Sequence, residues 1–65
     1  MQVKLISVDT NSVFFHRLTD ALNEEINNWL AENPNIELVS VTPTFNNVKD
    51  GDNDVVVITA TVIYN

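Results

Sequence analysis

Val55-Val56-Val57-Ile58-Thr59-Ala60-Thr61-Val62-Ile63-Tyr64 is the stretch that decides the fold. Its β-branched residues favour a strand over a helix. Its even positions, Val56, Ile58, Ala60, Val62 and Tyr64, are all apolar. Its odd positions, Val55, Val57, Thr59, Thr61 and Ile63, are nearly so. A strand apolar on both sides belongs in the middle of a sheet. Two neighbours are therefore required, and the rest of the chain offers two. Residues 36–45 read as a strand, and Pro43 within it has no N–H to give to a ladder, which assigns it to an edge. Residues 46–54 read as a turn region around Asp50-Gly51, a hairpin dipeptide. Residues 2–9 read as the other neighbour, closed by the polar stretch Asp9 to Ser12.

Between the first two strands, apolar residues recur at Phe14, Phe15, Leu18, Ala21, Leu22, Ile26, Trp29 and Leu30. That spacing predicts a helix over 13–32 with one buried face. Ser12 is its expected N-cap. Asn33 and Pro34 are its stop, with Asn33 expected in the left-handed position. The order is β-α-β-β. A right-handed crossover makes the first two strands run in the same direction, and the hairpin turns the third against them. The expected fold is α+β: a single domain over 1–65, with a three-stranded mixed sheet in the order 1-3-2 and one helix on one face. One helix leaves the second face bare, and a bare apolar face of that size marks an interface. A homodimer or larger assembly is expected.

Composition narrows the function. The chain has 65 residues, 3 Lys+Arg, 9 Asp+Glu and a formal net charge of −6. So few cations argue against nucleic-acid binding, which neutralises phosphates with several Lys or Arg. One His and no Cys argue against a closed zinc site and exclude a disulfide. No apolar run approaches a bilayer span, and Met1 to Leu5 does not resemble a signal peptide, so a cytoplasmic protein away from membranes is expected. Ten Asn residues are many, but the chain is too rich in Val, Ile, Leu and Phe to be disordered.

Four short stretches carry a resemblance: Met1-Gln2-Val3-Lys4, Glu25-Ile26-Asn27-Asn28-Trp29-Leu30, Asn33-Pro34-Asn35-Ile36 and Thr59-Ala60-Thr61-Val62-Ile63-Tyr64. Together they resemble a short, acidic, sporulation-associated family of Bacillus-type bacteria and their phages. The resemblance implies the same architecture and a bacterial or phage setting. It implies no enzymatic residue.

Chemistry has few places to sit. His16 is the only histidine, the residue type suited to acid–base work at neutral pH, and no serine lies in a glycine-flanked elbow. Catalysis and a cofactor are not expected. The loop Asp50-Gly51-Asp52-Asn53-Asp54 has alternating carboxylates but not the order of a calcium loop, and it reads as a solvated turn. The stretch from Ser12 to Arg17 is different. Phe14, His16 and Arg17 follow the expected cap, where cations oppose the helix dipole. Free N–H groups there, a guanidinium and a spare aromatic ring suit an anionic, ring-bearing ligand such as a nucleotide. Ser12, Phe14, His16 and Arg17 are the candidate ligand-binding residues, with Lys4 joining from the same or a neighbouring protomer. The expected function is non-catalytic sequestration of a small anionic host signal, of the kind phage anti-defence proteins perform. The alternatives are an acidic module that inhibits or binds a host protein, and a sporulation-associated structural part.

Overall fold

The computed structural model describes all residues, 1–65. Strand β1 spans Gln2–Asp9, a single 3-10 turn spans Phe15–Arg17, and helix α1 spans Leu18–Glu32. Strands β2 (Leu38–Asp50) and β3 (Asn53–Tyr64) form the closing hairpin. The sheet order is β1-β3-β2. Both ladders are antiparallel, so the sheet is antiparallel rather than mixed: β1 and β2, which run in the same direction, never adjoin.

The twofold pattern of β3 is resolved by burial. Ile58, Ala60 and Val62 are buried with Ile6 of β1 and with Leu18 and Leu22 of α1. These six residues are the core cluster, and Val8, Val13, Ile26, Trp29, Val56 and Tyr64 are packed against it. Trp29 and Tyr64 meet edge to face, with ring centroids 5.0 Å apart at 69°. The Tyr64 hydroxyl donates to Gln2 Oε1 at 3.0 Å, which satisfies its polar end. On the opposite, odd face of β3 no helix packs; Val55 is buried near the hairpin end, and Val57, Thr59, Thr61 and Ile63 are half-buried. In register beside it stand Val3, Leu5 and Ser7 of β1 and Ser40, Thr42 and Thr44 of β2.

The hairpin is longer and its turn tighter than the sequence suggests. Strand β2 starts at Leu38 rather than 36 and runs to Asp50 rather than 45. The loop contains only Gly51 and Asp52, closed by the pair Asp50 and Asn53. Gly51 has φ +65°, and no other residue has positive φ. Glycine first at positive φ, followed by a residue at negative φ, is the type II′ arrangement that matches strand twist. Asn46 to Val48 therefore pair rather than loop: their partners are Val57, Val56 and Val55. Pro43 sits on the outer strand, opposite Ala60, as its missing N–H requires. A register shift between Leu38 and Ser40 further breaks that edge.

The helix also departs from its expected ends. It starts at Leu18, not at 13, and Ser12 is not its cap. Instead Asp9 organises the loop. Its Oδ1 accepts from the Asn11 N–H at 3.0 Å, and its carbonyl accepts from the Ser12 and Val13 N–H groups, each at 3.2 Å. Thr10 extends the sheet by one more pair: its N–H reaches the Val56 carbonyl, and its Oγ1 accepts the Val56 N–H, both at 3.1 Å. The helix stop falls at Asn33, but not by a left-handed residue. Asn33 has φ −129°, and its Nδ2 donates to the Trp29 carbonyl at 2.8 Å. A side-chain amide here satisfies a terminal carbonyl that a glycine cap would otherwise serve. No helix is long and apolar enough to cross a membrane.

With two partners, β3 has its backbone protected from both sides. Amide hydrogen exchange is expected to be slowest over Val57 to Val62 and faster over Val3 to Val8, whose outer groups face solvent. Slower exchange in β1 than in β3 contradicts the strand order.

Candidate functional site

Residues Ser12 to Arg17 form a connected surface at the entrance to α1. After the Asp9 turn, Val13 turns inward to the core, and the backbone then swings outward. The 3-10 turn exists because three residues must reverse the chain before Leu18 can point into the core. Leu18 is 1% exposed, whereas Phe14 is 77% and Phe15 65% exposed. The apolar spacing places both phenylalanines on the helical stripe, with one ring spare for a ligand. They fall outside it because the α-helical register begins only after them.

The Phe14 and His16 rings stack, with centroids 5.9 Å apart and planes inclined by 9°. Ser12, Val13, Phe14, His16 and Arg17 line an open depression of about 360 Å³. None of the four side-chain hydrogen bonds in the molecule involves His16 or Arg17. The guanidinium is thus not committed to Asp9 or Asp20, the two partners its position offers. Four of the five residues singled out from the sequence are brought together here.

Two parts of the expected site are corrected. The N–H groups at the helix start are not all free. The Arg17 N–H donates to the Phe14 carbonyl at 2.8 Å, and the Leu18 N–H to the Phe15 carbonyl. What remains for a ligand is the stacked rings, the guanidinium and the unbonded N–H groups of Phe14, Phe15 and His16. Lys4 is also not part of this surface in the same protomer. It lies five residues, about 16 Å, back along β1 from Asp9. There it lines a separate depression with Glu25, Asn28, Trp29 and Glu32. Strand β1 and α1 run in opposite directions, so the start of the strand meets the end of the helix.

A further concavity escaped the sequence reading. Helix α1 covers β1 and β3 but stops short of β2. Leu22, Ile26, Val41, Pro43 and Phe45 consequently line an apolar groove of about 310 Å³ on the helix-bearing side. The usable signal was the unpaired apolar set on an edge strand whose inner neighbours are already covered. Nowhere do three or more His, Asp or Glu side chains converge as metal ligands would. No family model matches the chain, and no curated protein or solved structure matches it either.

Proposed function

We propose that the chain is a small, non-catalytic, oligomeric binding protein of the cytoplasm that captures an anionic, ring-bearing ligand. Nucleotide-like host signals are the ligand class that this chemistry fits. In the phage setting that the sequence resemblance implies, capture alone would be enough to silence such a signal. The observation that carries the reading is the exposed Phe14–His16 stack beside an Arg17 without a side-chain partner. Bases stack on aromatic rings irrespective of their identity. A guanidinium binds phosphate oxygens in pairs. Ser12 adds a hydroxyl at the rim of the same depression, and Lys4 contributes only if a neighbouring protomer brings it there. The opposing effect is the charge of −6, which repels anions at long range and makes binding sensitive to salt.

The test is a thermal melt of wild type and Arg17→Ala against a nucleotide panel that includes cyclic forms. A ligand at 100 times its dissociation constant raises stability by about 2.7 kcal/mol. Arg17→Ala is expected to weaken binding by about 1.5–3 kcal/mol, the range of a charge-assisted hydrogen bond. It should leave unliganded stability almost unchanged, since a cation at a helix start adds little. No shift of the wild type by any nucleotide sinks the ligand reading.

A second reading has its own observation. Asp20, Glu24, Glu25 and Glu32 are all exposed on α1. An acidic helix face of this kind suits a basic patch on a host protein, where complementarity speeds association. Pull-down from host lysate at low and high salt separates it from the first: a partner lost at high salt favours this face.

A further inference from the structure

We infer that the free edge of β1 is a docking site for an extended, basic segment of another protein, which adds to the sheet as a fourth strand. This rests on the acidic-helix reading and uses no residue of the Ser12 to Arg17 depression. Backbone geometry is the first argument. Thr10 and Val56 continue the register of β1 and β3, and the Thr10 N–H donates to the Val56 carbonyl at 3.1 Å. In an antiparallel ladder such bonded pairs alternate with unbonded ones. Gln2, Lys4, Ile6 and Val8 therefore turn their backbone groups toward β3, and Val3, Leu5 and Ser7 turn theirs outward. The other ladder agrees: Glu37 and Asn65 exchange two backbone bonds, which gives the odd residues of β3 to β2. No backbone bond outside the regular elements, and no side-chain bond, reaches Val3, Leu5 or Ser7. Their donors and acceptors recur about every 6.8 Å along the edge, the repeat that an extended strand matches.

The two edges of the sheet are not equivalent. On β2, Pro43 removes a donor from the middle of the outward row, and the register shift between Leu38 and Ser40 breaks its regularity. Both are devices that stop a further strand from adding. Strand β1 has neither proline nor glycine, and its register with β3 runs unbroken from Gln2 to Asp9. Its open row ends at Asp9, whose carbonyl is taken by the Ser12 and Val13 N–H groups.

Charge selects the occupant. Every second side chain of an added strand falls on the helix-bearing side, beside Lys4 and Ile6. There Lys4, Glu25, Asn28, Trp29 and Glu32 line an open depression of about 250 Å³. Glu25 and Glu32 are both exposed, and one lysine faces the two of them. They stand two helical turns apart, about 10.5 Å along the axis. Basic side chains at alternate positions of a strand fit this depression, and the chain's charge of −6 draws them in. On the open side the same strand extends the row of Val3 and Leu5, which are 61% and 62% exposed. A second copy of the chain is the rival occupant. Two copies paired edge to edge about a two-fold axis lay their helices side by side on one face. Their Glu25 and Glu32 carboxylates then outnumber the Lys4 ammonium groups two to one, and like charges so placed oppose the pairing.

The experiment uses the intact chain and an end-blocked synthetic peptide that alternates lysine and valine. A second peptide carries glutamate in place of lysine. The lysine peptide is expected to bind saturably at submillimolar concentration. It should slow amide exchange at Val3, Leu5 and Ser7 but not at Val39 and Val41, and the glutamate peptide should not bind. Leu5→Pro deletes a donor that the fold leaves unused, so it should keep its circular dichroism spectrum and weaken the lysine peptide about tenfold. Glu25→Gln combined with Glu32→Gln should weaken it about fivefold at low salt, the effect of two exposed ion pairs. No binding of the lysine peptide, equal binding of the glutamate peptide, or slowed exchange on β2 instead of β1 overturns the inference. An unweakened glutamine variant overturns the choice of a basic occupant. If Leu5→Pro binds like the wild type while the glutamine variant is weakened, the edge is overturned and the acidic-helix reading stands. Slow exchange of Val3, Leu5 and Ser7 in a chain that pairs without peptide assigns the edge to a second copy, which also overturns it. If Leu5→Pro fails to fold, the wild-type exchange pattern decides.

Discussion

Leu18→Ala is expected to remove most of the stability of this protein. Leu18 is 1% exposed and is the first α-helical residue after the 3-10 turn. It is the point at which the helix is pinned to Ile6, Ile58 and Ala60. Deleting a buried leucine costs about 2–5 kcal/mol, the upper part of the range applying where the site cannot collapse. A rigid sheet beneath and a turn above limit collapse here. A domain of 65 residues holds only about 3–10 kcal/mol in total. The loss is thus comparable to the whole. Urea unfolding followed by the fluorescence of Trp29 measures it. Phe15→Ala, three positions earlier, is the control. Phe15 is 65% exposed, and its removal should change stability by less than about 0.5 kcal/mol. A cost below about 1 kcal/mol for Leu18→Ala contradicts the docking of the helix.

The contrast between Leu18 and Phe15 also marks how far the sequence could be read. Strand order and the central place of β3 were legible because Val55 to Tyr64 is apolar at both parities, a pattern with few structural solutions. Pro43 fixed the edge strand by the absence of a donor. The helix start was not legible. Phe14 and Phe15 continue the 3–4 spacing of the helix, and Ser12 is a good cap residue. What displaced the start was the Asp9 turn together with Thr10, which pairs with Val56 and carries the chain past the expected cap. Such competition between a side chain and the helix ladder is local chemistry that periodicity does not report. The stop at Asn33 was placed correctly for another reason than the one inferred: an amide bonds back to the Trp29 carbonyl. For the candidate site, Ser12 to Arg17 lie on one depression because they are contiguous. Lys4 lies apart from them within one protomer because strand and helix directions decide which ends meet, which leaves only a neighbouring protomer to bring it there. One spare ring is legible in the sequence; that the second is exposed as well follows from the 3-10 turn.

The second large effect separates two adjacent residues of β3. Val62→Asp is expected to abolish folding at every protein concentration. Val62 is 0% exposed and packs in the core with Leu18, Leu22 and Ile6. Neither of its cross-strand partners, Lys4 and Val41, brings a cation into the core, since the Lys4 side chain lies at the rim with Glu25 and Glu32. An unpaired carboxylate buried there costs several kcal/mol, which is as much as a domain of this size holds. Ile63→Asp, one residue on, points to the opposite face, where its neighbours are Val3 and Ser40. In a single protomer that side is open to water, so the carboxylate stays hydrated and the core is untouched. In the proposed assembly its cost falls on the contact between copies. Wild type should melt at higher temperature as concentration rises, because assembly stabilises the folded form by mass action. Ile63→Asp should retain a folded spectrum but lose that concentration dependence and sediment as one chain. If the assembled pair is needed for any folding at all, Ile63→Asp will fail as Val62→Asp does, but a rise in protein concentration or in salt should rescue it, since both favour the weakened contact. Val62→Asp has no such rescue, because its charge is buried within one chain. A folded Ile63→Asp whose mass and concentration dependence match the wild type would place the contact on the helix-bearing side.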